Sequence, residues 1–187
     1  MAGLAEILSA LVGVLRILRG DPAALSYFDI SLDGFWRSYT AALIALPAHL
    51  LALALEVGSE PNAPPLAFFD YISHSMIYGV AWLAYPVAIH FICTLLEREK
   101  RFLDYIIPYN WSMIPVAYLV TLTSLIGADG SGAAYITITA SAAMFWAFWR
   151  LAERLLDIGR FQAIGIVAFD VVFSAILLTA LGDFAGV

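Results

Sequence analysis

The sequence predicts an all-α fold, a polytopic integral membrane helical bundle in which residues 1–187 form a single membrane domain. The composition is 63% hydrophobic and 13% charged, with a mean hydropathy of +0.89, whereas soluble domains are about one-quarter charged. Five apolar segments are long enough to cross a hydrocarbon core, which takes roughly 20 helical residues. The basic side chains are also placed where a single membrane face would collect them.

The five predicted transmembrane helices are separated by short connections. They lie near 38–56, 71–96, 105–127, 133–150 and 162–182. Helices are expected because every backbone amide must find its hydrogen-bond partner within the segment when no water is present.

Residues 4–18 predict an N-terminal amphipathic helix that lies on the membrane surface. Leucines recur there at helical spacing, and Glu6 and Arg16 belong to the more polar side. The apolar stretch is about 15 residues, which is short for a span, and an interfacial helix fits it better. The alternative is a sixth span, which would leave the other five unchanged.

The charges predict an orientation. All nine Lys and Arg residues precede the first span or lie between the second and third or the fourth and fifth. The other connections carry acids and no basic residue. These acids are Glu56, Glu60, Asp70, Asp129 and Asp183. Positive charge near span ends stays in the cytoplasm, so the N-terminus is expected there and the C-terminus outside. The excess of Arg over Lys and the abundant Ala are typical of GC-rich bacterial genomes, which indicates a bacterial inner membrane.

Four tryptophans predict an aromatic belt at the cytoplasmic interface. Trp36, Trp111, Trp146 and Trp149 each come close to a basic or polar span end. Amphipathic rings favour the headgroup level of a bilayer, so we expect these four at the surface.

Asp170 is the foremost candidate for a functional residue. It lies within the fifth predicted span, where an acid is costly and usually faces the bundle interior or a water-filled cavity. One interpretation is a proton or cation site. The other is a structural acid hydrogen-bonded to a neighbouring helix, with Ser174 one turn away.

His49 and His90 are the other intramembrane polar candidates. Small residues share the face of His49, which indicates that it faces protein. His90 lies at a depth comparable with Asp170, so a His90–Asp170 proton relay is one hypothesis. A structural hydrogen bond across helices is the alternative for His49.

An aromatic stripe follows one side of the second predicted span. It consists of His74, Tyr78, Trp82 and Tyr85. Such a stripe lines a hydrophobic ligand groove in one interpretation and is ordinary helix packing or lipid contact in the other.

Several classes of chemistry find no support in the sequence. Cys93 is the only cysteine, which excludes an intrachain disulfide and a cysteine metal site. No metal site or cofactor is expected, and haem is disfavoured because three histidines do not supply facing axial pairs. No basic face with a recognition motif indicates nucleic-acid binding. No nucleophile, base and orienting group can be assembled, so an enzyme is not expected.

Residues 29–36, Asp-Ile-Ser-Leu-Asp-Gly-Phe-Trp, resemble the Asp-Leu-Tyr-Gly-Pro-Phe-Trp stretch of the Yip family of five-span membrane proteins. The stretch occupies the same place, just before the first span. The Tyr is absent, and no proline precedes Phe35 and Trp36. The resemblance implies a five-span fold with a cytoplasmic N-terminus. Eukaryotic members act in vesicle traffic and bind Rab-type GTPases, whereas bacterial relatives are largely of unknown role, so no site residue follows.

Three functional hypotheses follow from these features. The first is a non-enzymatic scaffold or accessory subunit that packs against other membrane subunits or itself within the lipid bilayer. The second is a small proton-coupled transporter or channel that uses Asp170. The third is a lipid- or quinone-binding protein built on the aromatic stripe.

Overall fold

The computed structural model describes residues 2–59, 64–127 and 133–185. Over these residues the chain is all-helical and has no strand, which confirms the predicted all-α class for that part of the protein. Glu60 and Asp129, two of the acids predicted at the outer face, lie outside the described residues.

The described residues form seven α-helices. In chain order they are α1 (Leu4–Arg19), α2 (Leu32–Ser38), α3 (Thr40–Ser59), α4 (Phe68–Leu95), α5 (Phe102–Gly127), α6 (Ala133–Leu155) and α7 (Arg160–Ala185). The helices α4 to α7 coincide with the last four predicted spans to within a few residues. The first predicted span, 38–56, agrees equally well with α3, and an interruption at Tyr39 separates α3 from the short helix α2.

Three of the described helical stretches are long and apolar enough to cross a membrane. They are Leu32–Ser59, Phe68–Leu95 and Arg160–Gly182. The helices α5 and α6 have 26 and 23 residues but are not among them. In α5 the reason lies in its first half, where residues 105–112 are polar, aromatic or proline at most positions and are all buried.

The helix α5 is the centre of the bundle. The Tyr118 hydroxyl donates to the Ile44 carbonyl at 3.3 Å, and the Thr121 hydroxyl donates to the Ala48 carbonyl at 2.8 Å, so α3 and α5 run parallel. The Asn110 amide donates to the Ser38 hydroxyl at the end of α2 at 2.8 Å. Trp111 is only 1% exposed. Its predicted place in an interfacial belt is therefore wrong, because residues 105–112 of α5 are surrounded by other helices.

One end of the bundle, called the basic end below, collects the segments that carry the basic residues. Arg98 donates from Nε and Nη2 to the Asp157 carbonyl at 3.2 Å, which joins the α4–α5 and α6–α7 connections. Arg37 of α2 pairs with Glu6 of α1 at 3.0 Å. The Arg98 contact places the ends of α4, α5, α6 and α7 together, and the Arg154 guanidinium, which lies against Gly20, adds the end of α1. Basic residues that are far apart in the sequence therefore lie at the same end of the bundle.

The helix α1 is apolar on two sides. Its inner side is buried against α5, α6 and the segment of residues 24–28 that follows α1. The buried residues are Ala10, Gly13, Val14 and Ile17, and Gly13 packs against Tyr27 and Phe28. Its outer side exposes Leu4, Leu8, Val12 and Leu15 at 44–72%. An outer face of this kind is typical of a helix that contacts lipid.

Candidate functional site

A cavity of about 200 Å³ lies between α3, α4, α5 and α7. It is called the Asp170 cavity below. Its lining residues are His49, Tyr78, Ala81, Trp82, Tyr85, Tyr109, Asn110, Met113, Asp170, Ser174 and Leu178. Two of the three intramembrane polar candidates and three of the four stripe residues are among them.

Three polar side chains meet at one level of the bundle because they lie at similar distances from the basic end. Tyr85 comes 10 residues before the end of α4 at Leu95 (95 − 85), and Asp170 comes 10 residues after the start of α7 at Arg160 (170 − 160). Tyr109 comes 7 residues after the start of α5 (109 − 102). These separations correspond to about 10–15 Å of helix rise.

The Asp170 carboxylate is held by two hydroxyl groups. Tyr109 donates to Oδ2 at 2.9 Å, and Ser174 lies one turn along α7 with its hydroxyl 3.4 Å from Oδ1. Asp170 is partly buried. A carboxylate offers about four acceptor positions, so these two contacts leave room for a further donor from within the cavity.

Tyrosines form the buried wall behind Asp170. The Tyr85 and Tyr105 hydroxyls are 3.0 Å apart, and the rings of Tyr85 and Tyr109 stack with centroids 4.4 Å apart. All three are nearly inaccessible to solvent. Because stacked and hydrogen-bonded rings restrain each other, this wall presents a fixed aromatic surface and a fixed Tyr109 hydroxyl.

His49 and Tyr78 form another part of the cavity wall. Their rings stack with centroids 4.8 Å apart, and the Tyr78 hydroxyl donates to the Ala42 carbonyl of α3 at 2.9 Å. Tyr78 thereby ties α4 to α3 and holds the His49 ring at the cavity. His49 and Asp170, which are 121 residues apart in the chain (170 − 49), line the same space.

The structure does not bring His90 to Asp170. The His90 side chain is exposed and packs edge-to-face on Phe102, with ring centroids 4.9 Å apart. It does not line the Asp170 cavity, so the proposed His90–Asp170 relay has no direct contact. The physical reason is that His90 lies closer to the basic end than Asp170 does. It comes only 5 residues before the end of α4 (95 − 90) and contacts the first residue of α5.

His74 is also separate from the cavity. Its Nδ1 lies 2.8 Å from the Asp70 carbonyl one turn earlier. The other stripe residues, Tyr78, Trp82 and Tyr85, do line the cavity. The groove interpretation of the stripe therefore has geometric support for these three residues and none for His74.

Tyr109, Tyr105 and Asn110 are site residues that sequence reasoning missed. Tyr105 and Tyr109 are four residues apart and so share a helix face. The sequence feature that could have identified them is a pair of tyrosines in the third predicted span at a depth similar to that of Asp170. Periodicity gives the face and depth of a side chain but does not say which helix lies opposite.

The arrangement combines aromatic walls with a small set of convergent polar groups. That combination is typical of sites that bind small molecules. In the described part of the chain, no buried side-chain nitrogen or oxygen lacks a hydrogen-bond partner, so each buried polar group of the site is held by at least one protein group. Within the same residues, no group of three or more His, Cys, Asp or Glu side chains is arranged to hold a metal ion.

Comparison with known proteins adds no family to this description. No protein-family model matches the chain, and no curated protein or solved structure matches it significantly. The resemblance of residues 29–36 to the Yip family stays a prediction.

Proposed function

We propose that the chain is an integral membrane protein of the bacterial inner membrane in which α3 to α7 all cross the bilayer. The support is geometric. The α4–α5 and α6–α7 connections lie together at the basic end, where Arg98 contacts Asp157. The helices α5 and α6 are also long enough to span a membrane. The basic end faces the cytoplasm under the positive-inside rule, which puts the N-terminus inside and the C-terminus outside.

Single cysteines introduced into a Cys93→Ala background test this topology. We expect Gly58→Cys, near the end of α3, to react with a membrane-impermeant maleimide added outside spheroplasts. Lys100→Cys, between α4 and α5, is expected to react only after permeabilisation. Reaction of both sites from the same side would contradict an odd number of spans between them.

We further propose that the protein binds a small membrane-soluble molecule in the Asp170 cavity. The observation that carries this proposal is a carboxylate, fixed by Tyr109, that opens into a space walled by Tyr78, Trp82 and Tyr85. Aromatic walls favour a flat ring, and the free acceptor positions of Asp170 favour a ligand that donates a hydrogen bond. A quinol head group combines these two properties.

Binding of a short-chain quinol to the purified protein in lipid nanodiscs tests this proposal. Asp170→Leu removes the acceptor, and Ala81→Phe fills the cavity without changing charge. A hydrogen bond to a charged group contributes about 1.5–3 kcal/mol, so Asp170→Leu is expected to weaken binding about tenfold or more. His90→Gln, outside the cavity, is the matched control and should bind like wild type. Equal binding by wild type and both cavity variants would overturn the proposal, as would an absence of binding by wild type.

Proton-coupled transport is a second candidate, favoured by one observation. His49 and Asp170, two titratable groups, line the same cavity, and ionisable groups within spans mark proton relays. Proton flux into proteoliposomes should then fall sharply in Asp170→Asn and in His49→Gln but not in His90→Gln. Unchanged flux in Asp170→Asn would remove this candidate.

The scaffold or accessory-subunit hypothesis stays a prediction. Its expected signature is another membrane subunit that co-purifies in mild detergent. Exposed apolar side chains cover much of α4, α6 and α7, but lipid contact requires the same surface. A monodisperse monomer without partner would argue against this role.

A further inference from the structure

A second cavity lies on a different side of α5, between α5, α6 and the N-terminal helix α1. Its volume is about 250 Å³. Except for Ser112, its lining is apolar and aromatic, from Val14 and Leu18 of α1 to Leu119 of α5 and Leu151 of α6. The Ser112 hydroxyl donates to the Tyr109 carbonyl at 2.6 Å, so it offers the cavity no free donor. This space is called the α1–α6 cleft below.

The α1–α6 cleft is elongated along the bundle and ends at the basic end. On α6 its lining runs from Ala143 to Leu151, which is about 12 Å of helix rise. Arg154 follows Leu151 by one turn, and Arg19 directly follows Leu18. A hydrocarbon chain in the cleft would therefore have its polar end near the two helix ends that carry these arginines.

Arg19 and Arg154 differ from most other arginines at this end. Arg16, Arg37, Arg101 and Arg150 each pair with a carboxylate at 2.7–3.0 Å. Among the described residues, neither Arg19 nor Arg154 has a carboxylate within 4.0 Å, and both side chains are exposed. Two guanidinium groups without anionic partners thus belong to residues that follow the cleft lining, Arg154 one turn beyond it on α6 and Arg19 one residue beyond it on α1. Arg19 itself lies with Val12 and Leu15 on the outer side of α1.

Gly20 places the Arg154 guanidinium next to the C-terminal end of α1. Its φ is +84°, in the left-handed region that favours glycine, and it caps α1. The Arg154 guanidinium lies over it so closely that a Cβ at this position would be 2.6 Å from Nη2. The guanidinium of α6 is therefore seated against the residue that follows Arg19.

We infer that the α1–α6 cleft binds an anionic glycerophospholipid from the leaflet at the basic end. One acyl chain occupies the cleft, and the phosphate accepts hydrogen bonds from Arg154 and Arg19. The planar guanidinium fork matches phosphate geometry, and basic pockets between membrane helices are known to hold anionic head groups. The site needs the proposed membrane placement, but it does not need a ligand in the Asp170 cavity.

Native mass spectrometry of the detergent-purified full-length protein tests this inference, with phosphatidylglycerol and phosphatidylcholine of the same chain length as probes. Wild type is expected to retain one phosphatidylglycerol in preference to phosphatidylcholine by about tenfold. Arg19→Gln with Arg154→Gln should abolish the preference. Ala147→Phe, which fills the apolar cleft and keeps both charges, should abolish retention. Lys100→Gln with Arg101→Gln removes the same charge from the same end and should leave the preference intact.

Three results would overturn the inference. Equal retention of both lipids by wild type would show an apolar cleft without head-group recognition. Equal loss of preference in the Lys100/Arg101 control would show a general charge effect. Competition by glycerol 3-phosphate at the same concentration as the lipid would show that the head group alone is bound. Unchanged unfolding temperatures in the variants exclude misfolding as the cause of any loss.

Discussion

Gly34, in the first turn of α2, is a position where one methyl group has a large predicted effect. A Cβ there would lie 1.9 Å from the Asp29 carbonyl oxygen. The backbone N–H of Gly34 donates a hydrogen bond to the Ser31 hydroxyl at 3.0 Å, and this bond caps α2. The close approach of residues 29 and 34 is therefore built into the start of this helix.

We expect Gly34→Ala to destabilise the protein by about 1–3 kcal/mol, because backbone has to move to admit the methyl group. Thermal unfolding in detergent measures this effect. Gly165→Ala is the matched control, since a Cβ at that helical position meets nothing within 4 Å. A Gly34→Ala protein as stable as Gly165→Ala would contradict the geometry at α2.

The hydrogen bonds of Asp29, which lies outside the proposed membrane region, predict that the stability of the fold depends on pH. The Ser31 hydrogen bond, and next the Arg37 guanidinium, lower the pKa of Asp29 below its ordinary value of 3.8. A carboxyl group whose pKa is lowered by folding adds stability above its unfolded pKa and loses it as the pH falls through the folded value.

The difference in unfolding temperature between wild type and Asp29→Asn should therefore be full at neutral pH and shrink only below about pH 4. Because Asp29 is exposed, the difference is expected to be small. Repeating the comparison in a Ser31→Ala/Arg37→Gln background should remove the pH dependence. A difference that is the same at pH 7 and pH 3 would contradict this assignment.

The sequence was informative about single residues and uninformative about pairs. The cost of an acid in an apolar segment singled out Asp170, and helical spacing singled out Ser174 as its neighbour. Tyr109 was missed because its partner is on another helix. His90 was paired with Asp170 on depth alone, and the structure puts it against Phe102 instead.

At the scale of elements, α1 shows what amphipathic patterning can and cannot say. Its predicted range, residues 4–18, agrees with the observed Leu4–Arg19. The sequence did not show that the helix has two apolar sides, with Val14 and Ile17 buried and Leu8 and Leu15 exposed. Packing against α5 and α6 accounts for the first side, and lipid is expected to cover the second.

We expect the outer side of α1 to lie in the lipid interface. A spin label at Leu8→Cys in a Cys93→Ala background should report a depth of about 5–10 Å below the head groups. A label at Glu6→Cys, closer to the charged contacts of α2, should be more accessible to a water-soluble relaxation agent. Full water accessibility at Leu8→Cys would contradict the interfacial placement.

The helix α5 is too polar to be identified as a membrane span from its hydropathy, although it lies at the centre of the bundle. Composition identifies α4 and α7 as apolar enough to span a membrane but not α5. The polar side chains of α5 contact protein, as the Asn110–Ser38 and Thr121–Ala48 hydrogen bonds show. A helix surrounded by other helices can carry polar residues without exposing them to lipid. Its hydropathy is therefore lower than that of a lipid-facing helix of the same length.

At the scale of the whole molecule, the charges and the two cavities define one arrangement. The basic residues gather at one end, the Asp170 cavity lies about 10–15 Å above that end, and the α1–α6 cleft opens at it. Charge sorting predicted the common end before any helix packing was known. The lateral order of the helices, and therefore both cavities, depends on contacts that no local pattern encodes.

The central claim, a ligand in the Asp170 cavity, is tested most directly by native mass spectrometry of protein purified gently from its own membrane. Wild type and Ala147→Phe, which fills only the α1–α6 cleft, are expected to retain the same small molecule in equal amount, whether or not a phospholipid is also bound. Ala81→Phe, which fills only the Asp170 cavity, is expected to have lost it. Retention of the same molecule by Ala81→Phe, or its absence from wild type, would contradict the claim.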